Sequence, residues 1–199
     1  MLALLDSLAV SFDLPILEWI QANMQSGFMD FIMPIITLFG SGGVFWIAWA
    51  QILLLTKKYR STGAAMGLAL LFGVIVCNAI LKPCICRMRP YDFQELHFAK
   101  EIVLLVGPQS DKSFPSGHTI ACFEAAVVLM LRNKKMGIPA MVLAVLVSFS
   151  RLYLYVHYPT DVIASVILGT AFAFAANAIV NALEPKVVAR LEAKKCQSE

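Results

Sequence analysis

Apolar residues run through this chain in long blocks cut by short polar clusters, and inside the blocks their spacing is helical rather than alternating. Residues 1–26 carry Leu5, Leu8 and Phe12 at helical spacing, then Asp13 in a cap position, Pro15, and Trp19 among polar neighbours. That pattern predicts an interfacial amphipathic helix in one or two pieces. Residues 28–39 are apolar apart from Asp30, and Gly40-Ser41-Gly42-Gly43 interrupts them before 44–56. The two halves form either a hairpin of short helices or one long tilted helix with a flexible middle. The hairpin is the expectation. Lys57-Lys58-Tyr59-Arg60 stops the run, and further apolar helices follow at 63–81, 117–131, 137–150 and 159–183. Pro159 suits the first turn of the last of these. Between the helices lie a long polar-aromatic connection at 83–114 and a basic cluster at 132–135.

Several of these blocks approach or exceed the roughly 20 residues that cross a bilayer. Composition agrees: 59% of the 199 residues are hydrophobic and 15% charged, and the mean hydropathy is +0.75. A soluble domain does not look like this. The predicted fold is all-α, a single polytopic membrane domain over 1–199. It comprises about six transmembrane helices with an N-terminal interfacial helix over 1–26, an outer loop at 83–114 and a cytoplasmic tail at 184–199. The five cysteines (77, 84, 86, 122, 196) form no disulfide or zinc framework and read as small apolar residues or free thiols. No basic leader marks a cleavable signal peptide.

Charge placement orients the bundle. The connection 57–60, the cluster 132–135 and the tail hold three, three and four Lys/Arg, ten of the sixteen in the chain. The positive-inside rule places those ten in the cytoplasm of the cell membrane. The other six, Lys82, Arg87, Arg89, Lys100, Lys112 and Arg151, then face the extracytoplasmic side.

That outer side gathers unusual groups. Lys82 ends one helix and Arg89 follows seven residues on. Pro115-Ser116-Gly117-His118 opens another helix, and Arg151, His157 and Asp161 flank the last connection. Charged groups at a membrane boundary are costly unless they have a task. Three cations at a helix N-terminus make an anion site, and phosphate fits it: Arg offers bidentate N–H pairs, Lys a point charge, and Ser116–His118 free amides. Gly117 would let the backbone approach a ligand closely, and the alternative role for Ser116 is a plain N-cap. His157 and Asp161, four apart, can share one helical face, with the carboxylate on Nδ1–H and Nε2 free. The alternative is an interfacial histidine beside an ordinary helix-start aspartate.

Lys82-x6-Arg89-Pro90, Pro115-Ser116-Gly117-His118 and Ser150-Arg151-x5-His157-x3-Asp161 resemble, in order and internal spacing, the three signature motifs of the type-2 phosphatidic acid phosphatase superfamily. The resemblance implies a six-helix membrane bundle and metal-independent phosphoryl transfer, with a lipid phosphate or diphosphate hydrolysed on the outer face. Vanadium haloperoxidases and soluble acid phosphatases share the superfamily, but six hydrophobic segments argue against both. The small size is similar to bacterial members, which makes undecaprenyl diphosphate the leading substrate. Phosphatidylglycerol phosphate and phosphatidic acid are the alternatives.

The residues fit that chemistry on their own terms. His157, oriented by Asp161, is the expected nucleophile, and His118 the general acid. Lys82, Arg89, Arg151 and the Ser116 and Gly117 amides are expected to hold the phosphoryl oxygens. No carboxylate cluster suggests a metal: Asp92, Glu95, Glu101 and Asp111 are scattered through a loop. No cofactor or nucleic-acid partner is expected, and no pattern in the chain sets an oligomeric state. His97 reads as a loop histidine at headgroup level. Glu124, two turns into a membrane helix, is either functional or hydrogen-bonded to Asn78 or Ser148. A transporter would spread its charges through the bilayer depth, and an inactive scaffold would have lost a motif residue. Neither pattern is present.

Overall fold

The structure, a computed structural model, describes residues 2–196, with side chains from Leu4 to Pro185. The side chains of Lys186, Arg190, Lys194, Lys195 and Cys196, and so the expected charge of the tail, lie outside the described residues.

The described chain is helical. In order it forms α1 (Leu2–Leu8), a π turn at Ala9–Asp13, α2 (Leu14–Met24), α3 (Gly27–Thr37), a 3-10 turn at Leu38–Gly43, α4 (Val44–Leu55) and α5 (Arg60–Gly73). A π-helical stretch, Val74–Leu81, extends α5 into the short α6 (Lys82–Ile85). Then come α7 (Pro90–Phe98), α8 (Gly117–Arg132), α9 (Lys134–Tyr153) and α10 (Pro159–Cys196). Among the described residues four segments are long and apolar enough to cross a membrane: Gly27–Leu55, Lys57–Phe98, Lys134–Tyr153 and Pro159–Pro185. The shorter α8 is the central helix, packed against α5, α9 and α10 and buried along almost its whole length.

The segment 27–55 corrects the expected hairpin. Ser26 caps α3, its Oγ accepting from Met29 N–H at 3.3 Å. Asp30, one turn on, accepts from Tyr153 Oη at 2.5 Å, at the C-terminal end of α9. At the far end Gly63, near the start of α5, touches Ala50, Leu53 and Leu54; a Cβ there would lie 2.5 Å from Leu54 N. Small residues permit such close helix crossings. The chain therefore runs one way from Asp30 to Leu54 as a single broken span. The break sits at Gly42 and Gly43, both left-handed (φ +57° and +66°), a conformation glycine adopts without steric cost. Joining two of the six hydrophobic segments leaves five helical paths through the bundle among the described residues.

Both ends of the bundle carry polar networks. At one end Arg132 donates to Asn177 Oδ1 (2.7 Å), Ser61 Oγ (2.6 Å) and Asn181 Oδ1 (2.8 Å), so the basic clusters 57–60 and 132–135 share a face. At the other end α1 and α2 pack across the turn between α9 and α10 through Ala9, Leu14, Leu17 and Ile20 against Tyr153, Leu154 and Tyr158. The buried face differs from the expected one: Phe12 is exposed and Asp13 is fully buried. The π turn accounts for this, since its wider winding resets the register between α1 and α2.

Candidate active site

The site lies at the end of the bundle opposite Arg132, at the mouth of a cavity of about 540 Å³. The cavity runs between α4, α5 and α8, with Lys82, Arg89, Gly117, His118, Arg151 and His157 at its upper part and Gly73, Cys77 and Glu124 deeper. Local structure explains how each group arrives. The π stretch before α6 delivers Lys82. Arg89 is extended just before Pro90, as a residue preceding proline should be. Arg151 ends α9, and Tyr155, in a left-handed turn (φ +59°), swings His157 back toward it. Such backbone conformations cost energy and cluster at functional sites.

The cations are only partly engaged. Arg151 is buried and donates NH1 to Thr37 Oγ1 at 2.7 Å, while its Nε and NH2 have no partner. Arg89 donates NH1 to Val156 O (2.6 Å), Nε to Asp111 O (2.9 Å) and NH2 to Asp111 Oδ1 (2.5 Å). Lys82 Nζ is ion-paired with the other oxygen of Asp111. A loop carboxylate thus occupies the space between two of the cations. Burial works to raise the Asp111 carboxyl, but the bond and charge of Lys82 and then of Arg89 outweigh it and hold it at about 2. A methyl on Gly117 would sit 3.9 Å from Lys82 Nζ, in ordinary contact with it.

Both histidines line this space. His157 Nε2 lies 3.3 Å from Arg89 NH1, and its Nδ1 lies 3.5 Å from Asp161 Oδ2, too long for a formed hydrogen bond. Burial, then the positive charges of Arg89, Arg151 and Lys82, hold the His157 imidazole well below its ordinary range, which favours the neutral ring. Asp161 is fully buried; Oδ2 accepts from Ser113 Oγ (2.5 Å) and Tyr158 N–H (3.1 Å), and Oδ1 from Arg87 NH1 (2.5 Å). His118 Nε2 lies 3.3 Å from Ser41 Oγ, in the break between α3 and α4. A Cβ on Gly40 would lie 2.9 Å from both Cβ and Cδ2 of His118.

The structure brings Lys82, Arg89, Gly117, His118, Arg151, His157 and Asp161 together, and it revises four readings. Ser116 is a buried cap: its Oγ accepts from Thr119 N–H, and its own amide donates to Ser165 Oγ at 2.8 Å, so that amide is not free for a ligand. His97 lies on α7 and not in a loop, exposed, tilted against Phe93 with ring centroids 4.3 Å apart, and does not line the cavity. Glu124 lines the cavity but bonds neither Asn78 nor Ser148; Ser148 donates to Ala144 O, and Glu124 Oε1 has no partner. Asp13 is no helix cap but pairs with Arg87 at 2.7 Å. Arg87, Ser113, Asp111, Ser41 and Thr37 were not singled out from sequence. An acid inside an apolar stretch, as Asp13 is, was the available signal, since a buried charge needs a partner.

Comparison with known proteins bears on the same region. Residues 62–185 match the family model described as PAP2 superfamily. An undecaprenyl-diphosphatase of Sulfolobus acidocaldarius is 31% identical over 166 residues, which cover 83% of this chain and 77% of that protein. The crystal structure of Aquifex aeolicus LpxE superposes with a TM-score of 0.69 at 22% identity, over 83% of this chain and 94% of that one. The PAP2-type phosphatidylglycerolphosphate phosphatase of Bacillus subtilis superposes at 0.61 with 28% identity, over 82% and 80%.

Proposed function

The chain belongs to the PAP2 superfamily, and we propose that it is an integral-membrane phosphatase that cleaves a lipid phosphate or diphosphate through a phosphohistidine. The observation that carries this reading is the free Nε and NH2 of buried Arg151, opening on a cavity also lined by Lys82, Arg89 and both histidines. An unpartnered buried guanidinium is costly, and an anion relieves that cost.

In this mechanism the substrate phosphate displaces Asp111 and takes Lys82, Arg89, Arg151 and the Gly117 amide as partners for its oxygens. His157 Nε2 attacks phosphorus, forming an N–P bond as the P–O bond to the leaving group breaks. His118 donates a proton to the departing oxygen, a contribution of roughly 10²- to 10⁴-fold. Water then attacks the phosphohistidine, giving its proton to His118 as the N–P bond breaks and phosphate leaves. Asp161 stabilises the imidazole through Nδ1, closing the 3.5 Å gap as the ring gains positive character. The fixed cations neutralise charge on the phosphoryl oxygens without a metal.

Undecaprenyl diphosphate is the proposed substrate, supported by the relative from Sulfolobus acidocaldarius; phosphatidylglycerol phosphate is the second reading, favoured by the likeness to the Bacillus subtilis phosphatase. The whole chain acts as one domain, with α1 and α2 at the membrane interface and the site on the extracytoplasmic side, as the clustering of basic residues at the other end supports. Phosphate release by purified protein from a panel of polyprenyl diphosphate, phosphatidylglycerol phosphate and phosphatidic acid, with and without EDTA, tests this. Turnover of the first that survives EDTA is expected. No release from any of them, or recovery only with added Mg²⁺, would overturn it.

A further inference from the structure

We propose that Asp13 and Arg87 are positioning residues for the Asp161–His157 pair, which makes the N-terminal helix a working part of the site. This rests on the reading of His157 as the nucleophile. Asp13 lies outside the matched region 62–185, yet its carboxylate is fully buried beside the start of α10. Oδ1 accepts from Thr160 N–H at 2.9 Å and Oδ2 from Thr160 Oγ1 at 2.7 Å. Oδ2 also accepts from Arg87 NH2 at 2.7 Å.

Arg87 carries the connection onward. Its NH1 donates to Asp161 Oδ1 at 2.5 Å and to Thr160 Oγ1 at 2.8 Å, and its NH2 also reaches Leu5 O at 3.3 Å. The guanidinium lies 3.8 Å over the Tyr158 ring. A planar fork held at both ends and on one face has a single orientation, which a lysine could not reproduce. With Oδ1 of Asp161 fixed by this fork, Oδ2, which also accepts from Ser113 Oγ and Tyr158 N–H, is turned toward His157 Nδ1 at 3.5 Å. Asp13 thus acts twice, by holding the far end of the fork and by holding the first turn of the helix that bears Asp161.

Attachment of the N-terminal helix does not account for this network. Ala9, Leu14, Leu17 and Ile20 already bury its apolar face, and a buried ion pair adds little to stability over a packed apolar pair. An arrangement that fixes one carboxylate oxygen next to a reacting histidine is better suited to geometry than to adhesion, because a misplacement of about 1 Å there costs about 100-fold in rate.

The test is Asp13→Asn, with Arg87→Lys as the second variant, measured on full-length detergent-purified protein with p-nitrophenyl phosphate and with a lipid phosphate. Each should lower kcat about 10- to 100-fold, while KM and the orthovanadate inhibition constant stay within about 2-fold because the phosphate-binding cations are untouched. In an Asp161→Asn background, Asp13→Asn should have little further effect, since the relay ends there. Vanadate binding reports a folded site for both variants. Unchanged kcat in Arg87→Lys or Asp13→Asn, or an equal further loss in the Asp161→Asn background, would overturn the relay. If Asp161→Asn itself leaves kcat intact, it is the underlying catalytic reading that fails, and the two results are told apart on the same plate.

Discussion

Replacing Asp111 by Asn should make the protein bind phosphate-like anions more tightly. The carboxylate bridges Lys82 and Arg89 where the substrate's oxygens are expected, so every anion must first displace it. Its carboxyl stands at about 2 instead of 3.8, which corresponds to about 2.4 kcal/mol of attraction at about 1.36 kcal/mol per tenfold. The side chain is 48% exposed, and solvent screening reduces that to about 1 kcal/mol. Removing the charge should therefore lower the orthovanadate inhibition constant about 5-fold. The sign with pH is fixed as well. A carboxyl held below its ordinary range contributes its pairing fully above 3.8 and loses it only as pH falls through about 2. The 5-fold gain should then be flat between about pH 5 and 8. The assay is vanadate inhibition of p-nitrophenyl phosphate hydrolysis by wild type and Asp111→Asn. An unchanged or weaker vanadate affinity would show that Asp111 organises the cations rather than competing for them.

His157→Ala should give neither turnover nor phosphoenzyme, whereas His118→Ala should still accumulate acid-labile phosphoprotein from p-nitrophenyl phosphate, whose leaving group needs little protonation; rapid-quench trapping of label distinguishes them, and the reverse pattern would exchange their roles. Gly40→Ala places a methyl 2.9 Å from His118 Cβ and 2.8 Å from Val147 Cγ1; kcat should fall about 10-fold with vanadate binding retained, and unaltered kinetics would detach the break from catalysis. In a cysteine-free background, an impermeant thiol reagent added outside cells should label a cysteine at position 100 and spare one at 134; labelling of 134 alone would invert the topology.

How far the sequence revealed this molecule depended on the range of the interactions. The motif residues were legible because their spacing is local: a helix start brings Ser116 to His118 together, and one turn joins Arg151, His157 and Asp161. What stayed hidden was long-range. Asp111 looked like one scattered loop acid, since nothing in its neighbours reveals that Lys82, 29 residues away, and Arg89 will meet it. Asp13 and Asp161 are 148 positions apart, and only the fold puts Arg87 between them. The Gly40–Gly43 break was visible as a break, but its sense, a continuing span and not a hairpin, was decided by Asp30 meeting Tyr153 and Gly63 meeting Leu54. Apolar periodicity marks which segments are buried in lipid or protein; it carries no information on which direction the chain takes after a flexible residue.

The depth of the cavity has one more consequence. From His118 to Glu124 is six residues of helix, about 9 Å of rise, whereas one leaflet's hydrocarbon is about 15 Å thick. The cleft can therefore enclose only the first part of a lipid tail, and the remainder must lie in the surrounding bilayer. Tail length then contributes through partitioning, and the variable that governs rate is the mole fraction of substrate in the membrane surface, not its bulk concentration. Diluting the same amount of lipid phosphate with more inert lipid should slow the reaction just as removing substrate would.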